Sequence, residues 1–380
     1  MKILFITHSS NLIYGASKSL SYILKNTKYE FDLICTKTLL TNNSESQIRA
    51  YAGGRLKEIY SFNLPYKDKI VSYSANKLSL YRILRKSLRS FITTVLSFLD
   101  SFLIKSIIKK NQYELVHLNS IVLYPLIDSK NKYVVHFREV YNGRNNQMFY
   151  KQINKASGYI FIDSATRNAI EYKLVERKNH ITLNNPVDMR NLYNYDIMES
   201  KKSYGIPEKK VVFTILGNVS PTKGIDFVIR SFLNSSNENS LLFIVGSGFS
   251  DYINFCKLLC EQNPNILFID EIENPEPIFL VSDYIIRADP YFAIGRTVYE
   301  GLYSGCEIII QGEENDIELF FDKDAIKDKI HFYSVRDEKK LSSLLNKLAH
   351  KKVQKELFLS NVEDYVIKID NFFEKVAKSE

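Results

Sequence analysis

The sequence contains no tryptophan, and cysteine, proline and glycine are scarce, with 4, 9 and 14 of 380 residues. The cysteines have no Cys/His spacing typical of zinc sites, so we expect free thiols in a reducing compartment. No run of about 18 uncharged apolar residues occurs, and we therefore expect no transmembrane helix. The apolar part of the opening residues MKILFITHSS is too short for a signal peptide and is typical of a strand. These absences favour a cytoplasmic protein.

Acidic residues are almost missing from one stretch, Lys69–Lys110. It contains nine lysines and arginines against Asp100 alone, an excess of eight that equals the formal net charge of +8 for the whole chain. Apolar residues recur there every three or four positions, which is the period of an amphipathic helix. They are Leu80, Leu84, Leu88, Phe91, Val95 and Leu99. The stretch therefore predicts a helix or helix pair with basic flanks.

Three interpretations of Lys69–Lys110 are open. The first is binding to an anionic membrane surface, where basic amphipathic helices lie in the interface. The second is binding to nucleic acid, although no helix-turn-helix, RNP or zinc pattern supports it. The third is an apolar stripe that packs on the core, which is compatible with either. We expect weak, salt-sensitive membrane binding and no nucleic-acid binding.

What the sequence does contain is an alternation of short apolar strands with helical segments. This alternation favours parallel sheets covered by helices on both faces, and 380 residues suit two domains. The polar segment Asp188–Pro207 has no strong strand pattern and is interpreted as a linker. We expect a first α/β domain over residues 1–190, a second over 191–355, and a C-terminal helix over 356–380.

The stretch Tyr284–Gly305, YIIRADPYFAIGRTVYEGLYSG, is the most informative part of the chain. It predicts a buried strand, a loop with Pro290 and Gly295, and a helix that begins near Arg296 and carries Glu300 one turn later. Free N–H groups at such a helix start attract phosphate, and a carboxylate one turn further can accept hydrogen bonds from ribose hydroxyls. The pattern indicates a nucleotide-binding βαβ unit.

Glycines also follow two other predicted strands. The loop Leu216–Gly224, LGNVSPTKG, comes directly after the apolar run Val211–Leu216, and Leu241–Gly248, LLFIVGSG, is a strand that ends in glycines. In this order, over nearly the whole chain, the motifs resemble the nucleotide-sugar-dependent, retaining glycosyltransferases of family four. The resemblance implies the GT-B fold, in which two Rossmann-like domains face each other across a cleft and the last helix crosses back to the first domain.

The resemblance also implies donor-binding roles in the second half of the chain. The residues concerned are Gly217, Asn218, Lys223, Gly295, Arg296, Thr297 and Glu300. In the family, the loop lysine contacts the donor phosphates together with an arginine directly after the loop glycine, but here Asn218 takes the arginine's place and brings no charge. Glu300 matches the second glutamate of the family motif, which binds ribose. Arg296 either contacts the diphosphate or pairs with a carboxylate.

The first glutamate of that motif, which faces the donor sugar and the reacting centre, is replaced by Phe292. Three alternatives follow. Asp289 reaches the same place if the loop Pro290–Ile294 is remodelled, backbone N–H groups around Ala293–Arg296 hold a different sugar, or the enzyme is impaired. We take Asp289 and Lys223 as candidate catalytic residues; the alternative for the lysine is a solvated side chain in a turn.

The first half contributes fewer candidates. Gly15 precedes a helix where the family's glycine-rich loop approaches the donor phosphates, although a plain helix-entry glycine explains it equally well. His136 ends the predicted strand in VVHFRE, and a histidine at this strand end contacts the donor sugar or its reacting bond in the family. We therefore take His136 as a candidate catalytic residue and Arg138 and Glu139 as acceptor or cleft residues. His117 is interpreted as an internal hydrogen-bonding residue.

The expected function is transfer of a sugar from a UDP- or GDP-type donor to a glycan acceptor with retention of configuration. The acceptor implied is a lipid-linked oligosaccharide of a bacterial surface polysaccharide, such as O-antigen or capsule, reached from the inner face of the membrane. No Asp-x-Asp directly follows a predicted strand, so we expect neither metal nor cofactor. Base recognition is expected near Ile269–Glu271. The alternatives are a non-catalytic nucleotide-sugar-binding or partner-binding protein and a nucleotide-sugar epimerase.

Overall fold

The computed structural model describes residues 1–12, 15–64, 96–97, 99–141, 147–174, 179–235, 238–260, 262–290, 292, 294–319, 326–358 and 360–379. The chain divides into two compact units, one made of Met1–Pro186 with Val362–Glu380 and the other of Val187–Asn361. In the ranges given, no helix is both long and apolar enough to cross a membrane. The predicted domains ended at residues 190 and 355, whereas the chain passes from one unit to the other after residue 186 and after residue 361.

The first unit contains a parallel sheet. Its described strands are β1 (Lys2–Ile6), β2 (Glu30–Thr36), β3 (Leu56–Phe62), β4 (Leu115–Leu118), β5 (Tyr133–Phe137), β6 (Gly158–Phe161) and β7 (Asn179–Thr182). They lie in the order β3-β2-β1-β4-β5-β6-β7, and every neighbouring pair is parallel. The central strands are continuous apolar runs because helices cover both faces. These helices are α1 (Gly15–Asn26), α2 (Lys37–Asn42), α3 (Glu45–Ala52), α4 (residues 99–111), α5 (Gln147–Ile153) and α6 (Ser164–Asn168).

The second unit repeats this architecture. Its described strands are β8 (Val211–Leu216), β9 (Ser240–Val245), β10 (Ile266–Ile269), β11 (Tyr284–Arg287), β12 (Glu307–Gln311) and β13 (Ile330–Tyr333). All neighbours are again parallel, in the order β10-β9-β8-β11-β12-β13. Its helices are α7 (Ile197–Ser203), α8 (Ile225–Leu233), α9 (Ser250–Leu259), α10 (Glu276–Val281), α11 (Arg296–Tyr303) and α12 (Glu338–Leu348). The prediction of two Rossmann-like α/β domains is confirmed, while the cleft between them stays a prediction.

The segment Asp188–Pro207, predicted as a linker, belongs to the second unit and contains α7. The Asp196 side chain caps this helix by accepting a hydrogen bond from the Glu199 N–H. Leu192, a few residues earlier, is buried in the core of the unit. The linker prediction was wrong because α7 is a short surface helix whose composition is polar almost all round.

Helix α13 (Val362–Lys378) ends the chain and belongs to the first unit. Its apolar face joins the core cluster that contains β1 and α1, with Phe373 fully buried 6.1 Å from the ring of Phe5. Gly158 on β6 makes room for the helix, because a Cβ there would lie 2.8 Å from Cγ2 of Val376. The end of the chain therefore completes the core of the first unit.

Polar contacts fix the position of α13. The Asp370 carboxylate accepts hydrogen bonds from Oγ1 of Thr27 at 2.7 Å and from the Lys28 N–H at 2.9 Å. At the other end, Nζ of Lys132 donates to the carbonyl oxygens of Ala377 and Ser379, both at 2.6 Å. The last carbonyls of a helix lack intrahelical partners, so this lysine satisfies them and complements the helix dipole.

We expect Phe373→Ala to lower the free energy of unfolding by about 3–5 kcal/mol, because it removes a fully buried ring and leaves a cavity. The matched control is Ile367→Ala on the same helix, whose side chain is 60% exposed and whose loss should change stability by less than about 0.5 kcal/mol. Urea unfolding followed by circular dichroism measures both. Equal losses for the two variants would contradict a core role for α13.

Candidate functional site

The second sheet has a topological switch point between its central strands β8 and β11. In open parallel sheets, ligands bind beyond the carboxyl ends of the strands at such a point. The loops that follow these two strands meet there and line a small pocket. Gly217, Asn218 and Lys223 come from the first loop, and Arg287 and Asp289 from the end of β11 and the residues after it. The structure thus brings several of the predicted donor-binding residues together.

Asp289 is the centre of this cluster. Its carboxylate, 2% exposed, lies 2.8 Å from Nζ of Lys223 and also forms an ion pair with Nε of Arg287. Burial lowers the pKa of Lys223, and the nearby Arg287 lowers it further, while Asp289 opposes both effects. One buried carboxylate therefore bridges two cations, which makes Asp289 a counter-ion in this structure. Its predicted catalytic role stays a prediction.

The sequence reading missed Arg287. The available signal was the Arg-x-Asp spacing at a strand end, because residues two apart on an extended strand point to the same face. Arg287 and Asp289 have this spacing, and Asp289 meets Lys223 from the neighbouring loop. A largely buried arginine at the end of a central strand needs such a partner.

Two glycines allow the loops to approach this closely. Gly224 directly follows Lys223 with φ of +66°, and a Cβ there would lie 2.2 Å from the carbonyl oxygen of Ala288. A Cβ on Gly295 would lie 2.5 Å from Nη1 of Arg287. Any side chain at either position would push the Lys223 loop or the Arg287 guanidinium away.

Helix α11 begins after Gly295, which gives it no side-chain cap. The first N–H groups of a helix have no intrahelical partner, so an uncapped start is a site for an anion. In the first turn, Nε of Arg296 lies 2.8 Å from Oε1 of Glu300, and both side chains are almost fully buried. The structure thus pairs Arg296 with a carboxylate. Contacts of Glu300 with ribose and of Thr297 with the donor stay predictions.

Phe292 occupies the position where the resemblance to family four predicts a glutamate. Its ring packs against the apolar cluster around α11, and a Cβ on Gly312 would lie 3.1 Å from its Cδ2. Ala293, named with the backbone amides predicted to hold a sugar, lies outside the described residues. The phenylalanine is therefore part of the apolar packing beside the site.

In the first unit, His136 and His117 form a buried pair. Nδ1 of His136 lies 3.2 Å from Nε2 of His117, and neither ring has exposed surface. The His117 ring also packs against Phe5 and Phe373, with centroids 5.1 and 5.7 Å away. The interpretation of His117 as an internal hydrogen-bonding residue is confirmed. Contact of His136 with a donor sugar stays a prediction.

Burial lowers the pKa of both histidines, and the nearby Arg138 lowers them further. For His117 the pKa falls to about 3. Both rings are therefore neutral at physiological pH, because an imidazolium ion without water or a carboxylate is strongly disfavoured.

Arg138 belongs to a hydrogen-bond network at the same end of the first sheet. Its Nε and Nη2 donate to Oδ1 of Asn119 at 3.1 and 3.0 Å, and its Nη1 donates to Oδ1 of Asn185 at 2.7 Å. Oγ of Ser19 on α1 also donates to Asn185, at 3.1 Å. Through Asn185, the arginine thus joins the end of β5 to α1, next to the point where the chain leaves the first unit. The predicted acceptor role of Arg138 is not tested by these contacts.

Glu139 and Gly15, two further candidates, lie near this network in the sequence. The Glu139 carboxylate accepts a hydrogen bond from Oγ of Ser120 at 2.9 Å, and burial raises the pKa of the carboxyl group. Gly15 opens α1, and its carbonyl oxygen accepts a hydrogen bond from Oγ of Ser19 at 3.0 Å. Their predicted contacts with acceptor and donor stay predictions.

The region expected to recognise the base lies at the end of β10. Oγ of Ser247, in the loop after β9, donates to Oε2 of Glu271 at 2.6 Å.

In the part of the chain that the structure describes, no group of three or more His, Cys, Asp or Glu residues could hold a metal ion. The four cysteines are buried free thiols.

Comparisons with known proteins identify the fold. No protein-family model matches the chain, and no curated protein sequence matches it. Among solved structures, HepE from Anabaena in complex with UDP and glucose matches with a TM-score of 0.71 and 14% identity over 100% of both chains. The chain has the GT-B fold. A glycosyltransferase from Rickettsia africae matches at 0.67 and 16% identity, over 100% of this chain and 99% of the other. WaaG, a glycosyltransferase of lipopolysaccharide biosynthesis, matches at 0.61 and 10%, covering 100% and 95%.

We expect acid to destabilise the first unit through its histidine pair. Below about pH 6.5, the ordinary histidine pKa, the unfolded chain binds protons that the native rings do not bind, and for His117 this window extends down to about pH 3. The contribution of the two neutral rings to the free energy of unfolding is therefore complete above pH 6.5. It is lost as the pH falls, by up to about 1.4 kcal/mol per pH unit for each histidine. Unfolding free energies measured by urea titration across this range test it.

The variant His117→Asn should reduce the slope of the unfolding free energy against pH, because it removes one of the two neutral buried rings. The control His180→Gln changes a histidine on β7 whose side chain is 38% exposed, and should leave the slope unchanged. A slope in His117→Asn as steep as that of the native chain would contradict a neutral buried pair.

Proposed function

We propose that the protein is a glycosyltransferase that moves a sugar from a nucleoside diphosphate donor to a glycan acceptor with retention of configuration. The observation that carries the proposal is the ion-pair cluster of Lys223, Asp289 and Arg287 at the switch point of the second sheet. Arg287 also lies against Gly295, directly before the uncapped start of α11. The fold adds support, because HepE, which shares it, has been solved with UDP and with UDP-glucose. UDP is therefore the first donor base to test.

The mechanism needs stabilisation of the charge that develops on the leaving diphosphate. Nζ of Lys223 and the first N–H groups of α11 are fixed donors of the kind that stabilises such charge in the transition state. Glu300, buried one turn into α11 and held by Arg296, would accept hydrogen bonds from the ribose. We propose that these protein groups act without a metal or another cofactor.

The proposed acceptor is a lipid-linked oligosaccharide, and the first unit would bind it through Arg138 and Glu139, with His136 near the donor sugar. The acceptor class follows from the resemblance to enzymes that build bacterial surface polysaccharides. A protein that uses such an acceptor works at the inner face of the membrane, so a surface that holds it there is part of the proposal.

Helix α4 is the described part of that surface. Ile104 and Ile108 are buried in the core of the first unit, whereas Leu99, Phe102 and Leu103 are each more than half exposed on the same helix. Lys109 and Lys110 are exposed one to two turns further along. The rest of the basic stretch, residues 69–95, lies outside the described residues, as does residue 98. An exposed apolar face followed by lysines suits the interface of an anionic membrane.

The second candidate function is a non-catalytic protein that binds nucleotide sugars. The observations that favour it are the apolar packing of Phe292 where the family has an acid, and the two ion pairs that hold Asp289. The third candidate is an epimerase, which would convert the free donor without any acceptor.

We expect UDP or another nucleoside diphosphate to raise the melting temperature, and radiolabelled donor to be transferred to a lipid-linked acceptor. Lys223→Ala should lower the transfer rate about 100- to 1,000-fold, because a fixed cation at the leaving group is lost. The matched control is Lys202→Ala, an exposed lysine on α7 in the same unit.

The outcomes separate the candidate functions. Nucleotide binding without turnover of any donor favours the binding protein, and conversion of donor without acceptor favours the epimerase. Either result would reject the proposed transfer reaction. Equal transfer rates for Lys223→Ala and Lys202→Ala would reject the proposed role of Lys223 at the leaving diphosphate.

We expect the protein to sediment with vesicles that contain phosphatidylglycerol, and 0.5 M salt to weaken this binding because it screens the charges. Leu99→Gln with Leu103→Gln should weaken it about tenfold or more, since two exposed apolar side chains are lost from α4. The control pair is Met148→Gln with Ile367→Gln, exposed apolar residues elsewhere in the first unit. Equal partitioning onto neutral and anionic vesicles would contradict the proposed surface.

A further inference from the structure

The guanidinium group of Arg287 has more hydrogen-bond donors than its neighbours use. Its side chain is 16% exposed, and Nε is paired with Asp289. Among the residues that the structure describes, none accepts a hydrogen bond from Nη1 or Nη2. A guanidinium carries five N–H donors, so its two terminal nitrogens remain available to an acceptor on a ligand. This pattern is typical of a group that binds a ligand.

These free donors lie at the start of α11. A Cβ on Gly295 would lie 2.5 Å from Nη1 and 2.8 Å from Nη2 of Arg287, so the guanidinium rests directly against this glycine. The helix begins at the next residue, and no side chain caps it. The N-terminus of a helix carries partial positive charge and repels a cation. An anion bound between Arg287 and the helix start would turn this repulsion into attraction.

The charges of the cluster leave room for one anion. Lys223 and Arg287 share the single carboxylate of Asp289, whereas Arg296 has its own partner in Glu300. These five side chains therefore carry one positive charge in excess, next to a helix N-terminus. Because the cluster is largely buried, a bound anion compensates this charge better than distant solvent ions do.

Asn218 lines the same pocket as Arg287 and brings no charge to it. The loop after β8 therefore supplies only one cation, Lys223, whereas a diphosphate carries at least two negative charges. Arg287 supplies the second cation from the neighbouring strand β11. A planar guanidinium can hold phosphate oxygens through two parallel hydrogen bonds, which an ammonium group cannot do.

We propose that Arg287 binds the diphosphate of the nucleotide donor through Nη1 and Nη2, together with Lys223 and the first N–H groups of α11. Asp289 keeps both cations in place in the free protein. The assignment rests on the proposed function for the identity of the ligand, but the anion site itself does not.

The test is isothermal titration of the full-length protein with UDP, uridine and inorganic pyrophosphate. Arg287→Gln should weaken binding of UDP and pyrophosphate about 10- to 100-fold and leave uridine binding unchanged, because only the phosphate contacts are lost. Arg287→Lys, which keeps the charge without the fork of donors, should give a smaller loss. The matched control is Arg190→Gln, an exposed arginine of the same unit that pairs with Asp188, and it should bind all three ligands normally.

A rescue variant separates ligand binding from folding. Adding Asn218→Arg to Arg287→Gln should restore part of the UDP affinity, because both positions line one pocket. Circular dichroism and the melting temperature report whether each variant is folded. Equal weakening of UDP and uridine, or unchanged UDP binding in Arg287→Gln, would overturn the assignment.

Wild-type and Arg287→Gln titrations together distinguish the two proposals. If the wild type binds pyrophosphate more tightly than Arg287→Gln does but binds no nucleoside diphosphate, the proposed function fails and the anion site stands. If the wild type and Arg287→Gln bind UDP with equal affinity, the proposed function stands and the role of Arg287 fails. If it binds neither UDP nor pyrophosphate, both fail.

Discussion

The ion pairs of Asp289 with Lys223 and Arg287 hold the candidate site together. They join the loop after β8 to the end of β11, the two strands between which the order of the second sheet reverses. Without the carboxylate, two cations would lie side by side in a largely buried place, which is strongly unfavourable. The same contacts place positive charge beside the start of α11. The position of the proposed anion site therefore depends on one acidic side chain.

Most of the fold followed from the sequence because the strands of a covered parallel sheet are short apolar runs with glycines at their ends. Val211–Leu216 and Leu241–Val245 were recognised in this way, and both are buried strands. The segment Asp188–Pro207 was not, because α7 is too short and too polar to show a helical period. Long-range pairing of Thr27 and Lys28 with Asp370 leaves no local pattern at all.

The site was predicted only in part, for a physical reason. Glycines before helices and a lysine before a glycine are local features, so Lys223, Gly295 and Glu300 were named. The Arg287–Asp289 spacing was a local signal, but spacing does not encode that Asp289 also pairs with Lys223 of another loop. Nor does it encode the contact of the Arg287 guanidinium with Gly295, which depends on the missing Cβ. The histidine pair is similar: His117 and His136 lie on neighbouring strands, and only the strand order brings them within 3.2 Å.

The assignment of α13 to the first unit has a consequence for biosynthesis. The chain leaves that unit after Pro186, completes the whole of the second unit, and returns at Val362. On the ribosome, the second unit can therefore fold as soon as it has emerged, whereas the first must wait for α13 to cover its hydrophobic face. The half of the protein that is synthesised first finishes folding last, and its uncovered apolar surface is the part that chaperones would have to shield.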